Sequence, residues 1–347
     1  MTQFFFIQNI KVLFIQNLYL FWDFSHKIFT FLLKYGKLSK DFGVSMIISD
    51  KKLKELLKRK GLTKSHLCDK LGISSRTIAK IAKGENVNDN VVLNILKYLE
   101  ASFEDVIDFN FIYQTLNREK MLKLSGGLYH ETQIKLTYNS NHMEGSKLTE
   151  DQTRYIFETK TIGNLPTNIQ LDDVIETNNH FKCVDYVIEF ANAELSEVLI
   201  NNLQFFLKEG TEHSKFFGAG KYKVAPNVIG GLETTPPEQV ENEMKKLLSW
   251  YNSLKKVTLE DIVEFHHQFE TIHPFQDGNG RVGRLIAFKE CLKNNIVPFY
   301  IDDENKWLYY RGLKEYHIDK NYLIETCKFG QDQYKKLLDY FKVEYKD

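Results

Sequence analysis

Twelve consecutive residues, His273-Pro274-Phe275-Gln276-Asp277-Gly278-Asn279-Gly280-Arg281-Val282-Gly283-Arg284, bring together a base, a carboxylate, a glycine-rich turn and two guanidinium groups. Gly278-Asn279-Gly280 tolerates positive φ, so its backbone N–H groups can converge on an anion. The next residues, 281–294, read as a helix, with Leu285, Ile286, Phe288 and Leu292 at helical spacing. A glycine turn feeding a helix N-terminus is a phosphate site. Arg281 and Arg284 share one face of the first turn and can fork onto phosphate oxygens. Two cations there oppose the helix dipole, a cost that an anionic ligand offsets. His273 suits a general base, and Asp277 suits Mg²⁺ bridged to phosphates. These are the parts needed to hold a nucleoside triphosphate and pass a piece of it to a hydroxyl. Each part alone has a bland reading as turn, helix end or solvated face; their conjunction at this spacing does not. His266 and His267 read as ordinary helix residues, without metal-ligand spacing.

The elements that must position these groups are also visible. Residues 259–272 read as a helix carrying Ile262, Phe265, Phe269 and Ile272 on its apolar side, stopped by Pro274 so that His273 stands at its end. Phe275 is expected to point inward. Tyr222, Val224, Val228 and Ile229 around Pro226-Asn227 read as a short β-hairpin, able to pair with an extended segment or to be a plain surface feature. Nearer the N-terminus, residues 53–107 form a separate run of short helices, with Thr63 and Ser74 as N-caps and Gly61 and Gly72 at turns. Residues 50–107 hold 12 Lys/Arg against 8 Asp/Glu, although the whole chain is neutral. The fold class is therefore mostly α, in two domains, 46–108 and 109–347.

The 273–284 segment resembles the Fic family signature, H-x-F-x-[DE]-G-N-G-R-x-x-R, at every defined position. The resemblance implies a helical Fic domain with a β-hairpin flap, and AMP transfer from ATP to a Ser, Thr or Tyr hydroxyl of a target protein or of the enzyme itself. It assigns His273 as base, Asp277 to Mg²⁺, and Gly278, Asn279, Gly280 and Arg281 to the phosphates. Arg284 falls to the γ-phosphate. A kinase branch of the family lacks the second glycine and last arginine; Gly280 and Arg284 are present here. Residues 220–237 resemble the family's target-docking flap, and 307–313 a segment near the adenine, where Tyr309 or Tyr310 is either a ligand contact or core. Ser140-Asn141-His142-Met143-Glu144-Gly145 resembles the inhibitory motif [ST]-x-x-x-E-[GN]. On residues alone, 132–144 can form a helix ended by Gly145, and the Glu144 carboxylate can pair bidentately with Arg284. The 63–84 run resembles the Cro/Xre helix-turn-helix, which implies that Ser74, Ser75, Arg76, Thr77 and Lys80 face DNA.

Residues 1–45 differ from the rest. Gln8, Asn9, Lys11, Gln16, Asn17 and Asp23 interrupt any apolar span, and no signal-peptide layout is present. Translation from Met46 is the preferred reading, with an interfacial anchor as runner-up. Four scattered cysteines suggest neither a disulfide framework nor a zinc site and fit a reducing cytoplasm. No membrane partner is expected, and a homodimer is compatible with the sequence. The reading is an autoinhibited protein adenylyltransferase with a DNA-binding module. Its rival is a transcriptional regulator whose second half senses nucleotide without transfer.

Overall fold

The computed structural model describes residues 48–83, 85, 87–102, 105–106, 110–161, 169–229 and 231–346. The chain divides between Phe109 and Asn110 into two compact units. The expectations for residues 1–45 and for a start at Met46 lie outside the described residues.

The first unit contains α1 (Asp50–Arg59), α2 (Lys64–Leu71), α3 (Ser75–Ala82) and α4 (Asp89–Leu99). The expected caps are present: the Thr63 hydroxyl accepts the His66 N–H, and Ser74 Oγ accepts the Thr77 N–H at 3.1 Å. Gly72 takes φ 63° at the end of α2, which turns the chain into α3. Leu53, Leu57, Leu67, Ile81, Val92 and Ile95 close a small apolar core. Each such side chain contributes about 1.5–3 kcal/mol on burial.

The second unit runs α5 (Phe111–Leu122), α6 (Leu128–Met143), α7 (Glu150–Thr159), α8 (Leu171–Glu189), α9 (Glu197–Lys208) and α10 (Glu212–Phe217). After the strands β1 (Val228–Ile229) and β2 (Leu232–Glu233) come α11 (Pro237–Ser253), α12 (Leu259–Ile272), α13 (Asn279–Lys293), α14 (Lys306–Lys314) and α15 (Asn321–Tyr340). Twelve of the fifteen residues of α13 are buried, because α6, α8, α9 and α12 all pack on it. A helix enclosed on all sides shows no amphipathic stripe, and its position is set by its neighbours. α12 begins with a capping box between Thr258 and Asp261 and ends as expected at His273, which takes φ 50°. Phe275 is fully buried.

Two boundaries differ from the sequence expectation. α13 starts two residues early, at Asn279, so Asn279 and Gly280 belong to its first turn. The hairpin pairs Val228 with Glu233 and Ile229 with Leu232, so the chain reverses between Ile229 and Leu232 and not at Pro226-Asn227. The reason lies at Asn227, whose amide donates to the Phe275 carbonyl at 3.1 Å and whose carbonyl side holds Lys223 and Thr234. That clamp leaves Tyr222 and Val224 outside the ladder.

Candidate active site

His273 caps α12 in the left-handed region with its side chain 15% exposed. Its Nδ1 lies 3.3 Å from the Glu270 carbonyl, which can only accept, so the proton is assigned to Nδ1 and Nε2 keeps its lone pair. Burial pushes the imidazole pKa below its ordinary value, and the nearby Lys223 ammonium acts in the same direction. The ring is therefore neutral at neutral pH.

The loop after His273 ties itself down. The Phe275 N–H donates to Asn279 Oδ1 at 2.8 Å, and Asn279 Nδ2 donates back to the Phe275 carbonyl at 2.8 Å. The Asn279 side chain, 1% exposed, thus braces the loop, and only its backbone can face a ligand. Gly278 takes φ 86° as N-cap of α13. Gly280 is closely approached: a Cβ there would meet the Glu144 carboxylate and come within 2.9 Å of Arg284 Nη1, so those side-chain ends would have to shift.

That approach locates the end of α6. Arg284 Nη2 donates to Glu144 Oε1 at 2.7 Å and to the Ser140 carbonyl at 3.0 Å, while Nε donates to Ser140 Oγ at 3.0 Å. The guanidinium fork is thus shared between Glu144 and Ser140, in place of the bidentate carboxylate pairing expected. Burial raises the Glu144 pKa, but Arg284 and Arg281 outweigh it, and the net shift is downward. Burial disfavours the Arg284 cation as well, and Glu144 more than compensates.

Arg281 is 4% exposed, with Nη1 on the Glu176 carboxylate and Nη2 3.5 Å from Asp277 Oδ1. Glu176 reaches it from α8, 105 residues earlier in the chain. Asp277 remains 40% exposed, accepts the Gly278 N–H at 2.6 Å and is bonded to Lys208. Burial works to raise its pKa, but Arg281 and Lys208 pull it down to about 2, so the carboxylate is ionised. Among the described residues no group of three or more His, Cys, Asp or Glu side chains could hold a metal. A single ionised carboxylate beside a phosphate cradle still fits Mg²⁺, which usually takes one or two carboxylates together with substrate phosphates and waters.

Tyr309 and Tyr310 separate. Tyr309 is 1% exposed, its ring centroid 5.9 Å from the Arg284 guanidinium carbon and its hydroxyl 2.7 Å from His266 Nε2. It supports Arg284 from within instead of lining an open pocket. Tyr310 is 43% exposed and donates to the Met143 carbonyl at 2.8 Å, tying α14 to the end of α6. His266, read as an ordinary helix residue, is buried in this network. Its Nδ1 and Glu270 Oε1 both lie under Gly283 without a hydrogen-bond partner. Arg284 also borders a small pocket lined by Ser140, His180, Phe288 and Tyr300 among others.

In the flap, Val224, Val228 and Ile229 are exposed, whereas Tyr222 is half-buried, its ring against Phe275 and its hydroxyl on Glu197 at 3.1 Å. Sequence reasoning missed Lys223. Its buried ammonium donates to Asn227 Oδ1 at 2.7 Å, Thr234 Oγ1 at 2.6 Å and the Ile272 carbonyl at 3.3 Å, and its N–H donates to the Pro274 carbonyl. Lys208 and Glu176 were missed too; partners so distant in sequence leave no spacing signal. In the first unit Ser74, Ser75, Arg76 and Lys80 are exposed on or before α3, and Thr77 is half-buried. The Ser74 and Thr77 hydroxyls lie 2.9 Å apart and satisfy one another in the cap.

Fold and site together define a mostly helical protein with a phosphate-type cradle at a buried helix N-terminus and a separate helix-turn-helix unit. Likeness to known proteins makes this specific: residues 194–290 match the Fic/DOC family and residues 52–111 a Cro/C1-type HTH DNA-binding domain, so the chain carries both. It is 25% identical over 234 residues to the protein adenylyltransferase Fic of Nematostella vectensis, covering 63% of this chain and 51% of that protein. It is 23% identical to protein adenylyltransferase fic-1 of Caenorhabditis elegans, covering 59% of this chain and 39% of that one. The chain thus spans about half, or less, of the length of these curated relatives. A crystal structure of a Fic domain-containing signalling protein from Bacteroides thetaiotaomicron superposes with a TM-score of 0.54 at 22% identity, covering 67% of this chain and 94% of that one. That likeness supports the fold. No helix among the described residues is long and apolar enough to cross a membrane.

Proposed function

We propose that the protein is an autoinhibited protein adenylyltransferase that moves AMP from ATP to a protein hydroxyl. The observation that carries the reading is the single loop that sets a neutral His273 and the Gly278–Gly280 cradle beside an Arg284 held by Glu144. The names of the relatives support the same activity. His273 Nε2 takes the proton of a Ser, Thr or Tyr hydroxyl as its oxygen attacks the α-phosphorus. The bond from that phosphorus to the bridging oxygen breaks, and pyrophosphate leaves. Catalysis is then positioning and charge stabilisation, with little covalent work for the protein. Backbone N–H groups at the start of α13 receive phosphate oxygens. Asp277 would hold Mg²⁺, which when bound neutralises phosphate charge. Arg281, held on Glu176, contributes its charge to the cradle. Arg284 receives the γ-phosphate once Glu144 leaves it; while paired, Glu144 denies that place to the nucleotide. The exposed flap edge at Val228 and Ile229 would dock the target as an added strand.

The first unit supports a second function, DNA binding through Arg76, Lys80 and the N-terminus of α3. A cytoplasmic location follows from ATP as donor and DNA as partner.

The test is intact mass after incubation with MgATP. The Glu144→Gly form should gain one AMP moiety, and the Glu144→Gly/His273→Ala form should gain none. Nucleotide binding without any transfer would favour the rival reading, a nucleotide-sensing regulator.

A further inference from the structure

Lys208 is a buried cation beside the site that takes no part in the steps above. It is the last residue of α9, and its side chain is only 3% exposed. Its methylene stem lies against Gly278, with Cδ 3.6 Å from where a Cβ on that residue would stand. Its ammonium is bonded to both the Glu176 and the Asp277 carboxylates. Asp277 Oδ2 is taken by Lys208; Oδ1 accepts the Gly278 N–H and faces Arg281 Nη2 at 3.5 Å. Arg281 closes the ring on Glu176. Two cations and two anions cancel in one largely buried cluster.

We propose that Lys208 is a built-in cation that keeps Asp277 closed to free divalent metal, so that metal enters the site only together with the triphosphate. The proposal rests on Asp277 being the metal ligand in the function argued above. A bare divalent ion approaching Asp277 would meet two fixed cations already in contact with its ligand. It would also add uncompensated charge to a neutral cluster where screening is weak. A triphosphate brings more negative charge than the metal brings positive, so the complex of the two is admitted where the ion alone is not.

The experiment is Mn²⁺ binding to the full chain, read by the loss of the free-ion electron paramagnetic resonance signal. Without nucleotide, wild type should bind Mn²⁺ no better than Asp277→Asn. Lys208→Met should gain a site roughly tenfold tighter or more, as expected for removal of an adjacent like charge, and Lys208→Met/Asp277→Asn should lose it. Lys208→Gln should reproduce the gain, and a thermal melt of each variant checks folding. Nucleotide arms use α,β-methylene-ATP in the Glu144→Gly background, where binding should depend on Asp277. Equal Mn²⁺ affinity in wild type and the Lys208 variants, with Asp277-dependent binding intact in the nucleotide arm, overturns the proposal and leaves the metal ligand standing. Tight, Asp277-dependent binding to wild type without nucleotide overturns it whether or not the variants fold. Nucleotide-dependent binding that survives Asp277→Asn removes the metal-ligand reading, and this proposal with it.

Discussion

Arg284 Nη2 and Glu144 Oε1 stand 2.7 Å apart across 140 residues of sequence, and the carboxylate lies against Gly280, which has no side chain to exclude it. The end of one helix thus stands where an anion would otherwise sit.

Releasing that pair should raise activity. A hydrogen bond between charged groups is worth about 1.5–3 kcal/mol, so Glu144→Gly should increase transfer of α-labelled AMP roughly ten- to a hundredfold. Ser140 keeps two bonds to Arg284, so the guanidinium stays in place and the variant should remain folded. Equal labelling of wild type and variant would remove the brake.

Loss of the base should cut the chemical step alone. In the Glu144→Gly background, His273→Ala should lower transfer about 10²–10⁴-fold, with nucleotide affinity unchanged. Because burial holds the His273 pKa below its ordinary 6.5, activity should fall on the acid side with a midpoint below 6.5. A midpoint at or above that value, measured on kcat/KM with protein target, contradicts the assignment.

Stability should bend at both ends of the pH range. Burial lowers His266 and His180 from 6.5 to about 3, so the folded chain binds fewer protons than the unfolded chain between those values. Stability from these two groups is present above 6.5 and is lost as pH falls towards 3. Burial raises Glu270 from 4.5 to about 8, the opposite sign: its contribution is present below 4.5 and is lost as pH rises through about 8. Melting temperature should climb from pH 4 to about 6.5. Glu270→Gln should flatten the decline towards pH 8. An unchanged alkaline limb would show that Glu270 is ionised in the folded chain.

DNA binding should be electrostatic and local to α3. Arg76→Ala and Lys80→Ala should each weaken binding and reduce the slope of log affinity against log salt by about 0.9 for each phosphate no longer neutralised. Variants that leave both affinity and slope unaltered would assign the helix-turn-helix unit to protein partners.

The two-unit, mostly helical architecture was legible because its helices announce themselves by caps and periodicity: Thr63, Ser74, and the apolar face of α12 that ends at Pro274. Most of the twelve-residue loop was legible because its members are neighbours in sequence. What stayed hidden depends on distance along the chain. α6 buries Thr132, Gln133, Thr137, Asn139 and Asn141, so its polar residues gave no hint that it is interior. The carboxylate that holds Arg281, Glu176, stands 105 residues earlier. Aromatics at the spacing of Tyr309 are more often core than ligand-facing, and the hydroxyl contact to His266 that holds it is not visible in the sequence. The hairpin turn was misplaced because Asn227, a good turn residue, is spent on bracing the flap to Phe275.

The flap has little freedom to retreat. Lys223, Asn227 and Thr234 fasten its base to the backbone on either side of His273. A partner must therefore do the accommodating. On the function proposed above, hydroxyls on tails, linkers and loop tips, where a polypeptide can straighten alongside Val228 and Ile229, would be within reach, and those set in rigid globular faces would not.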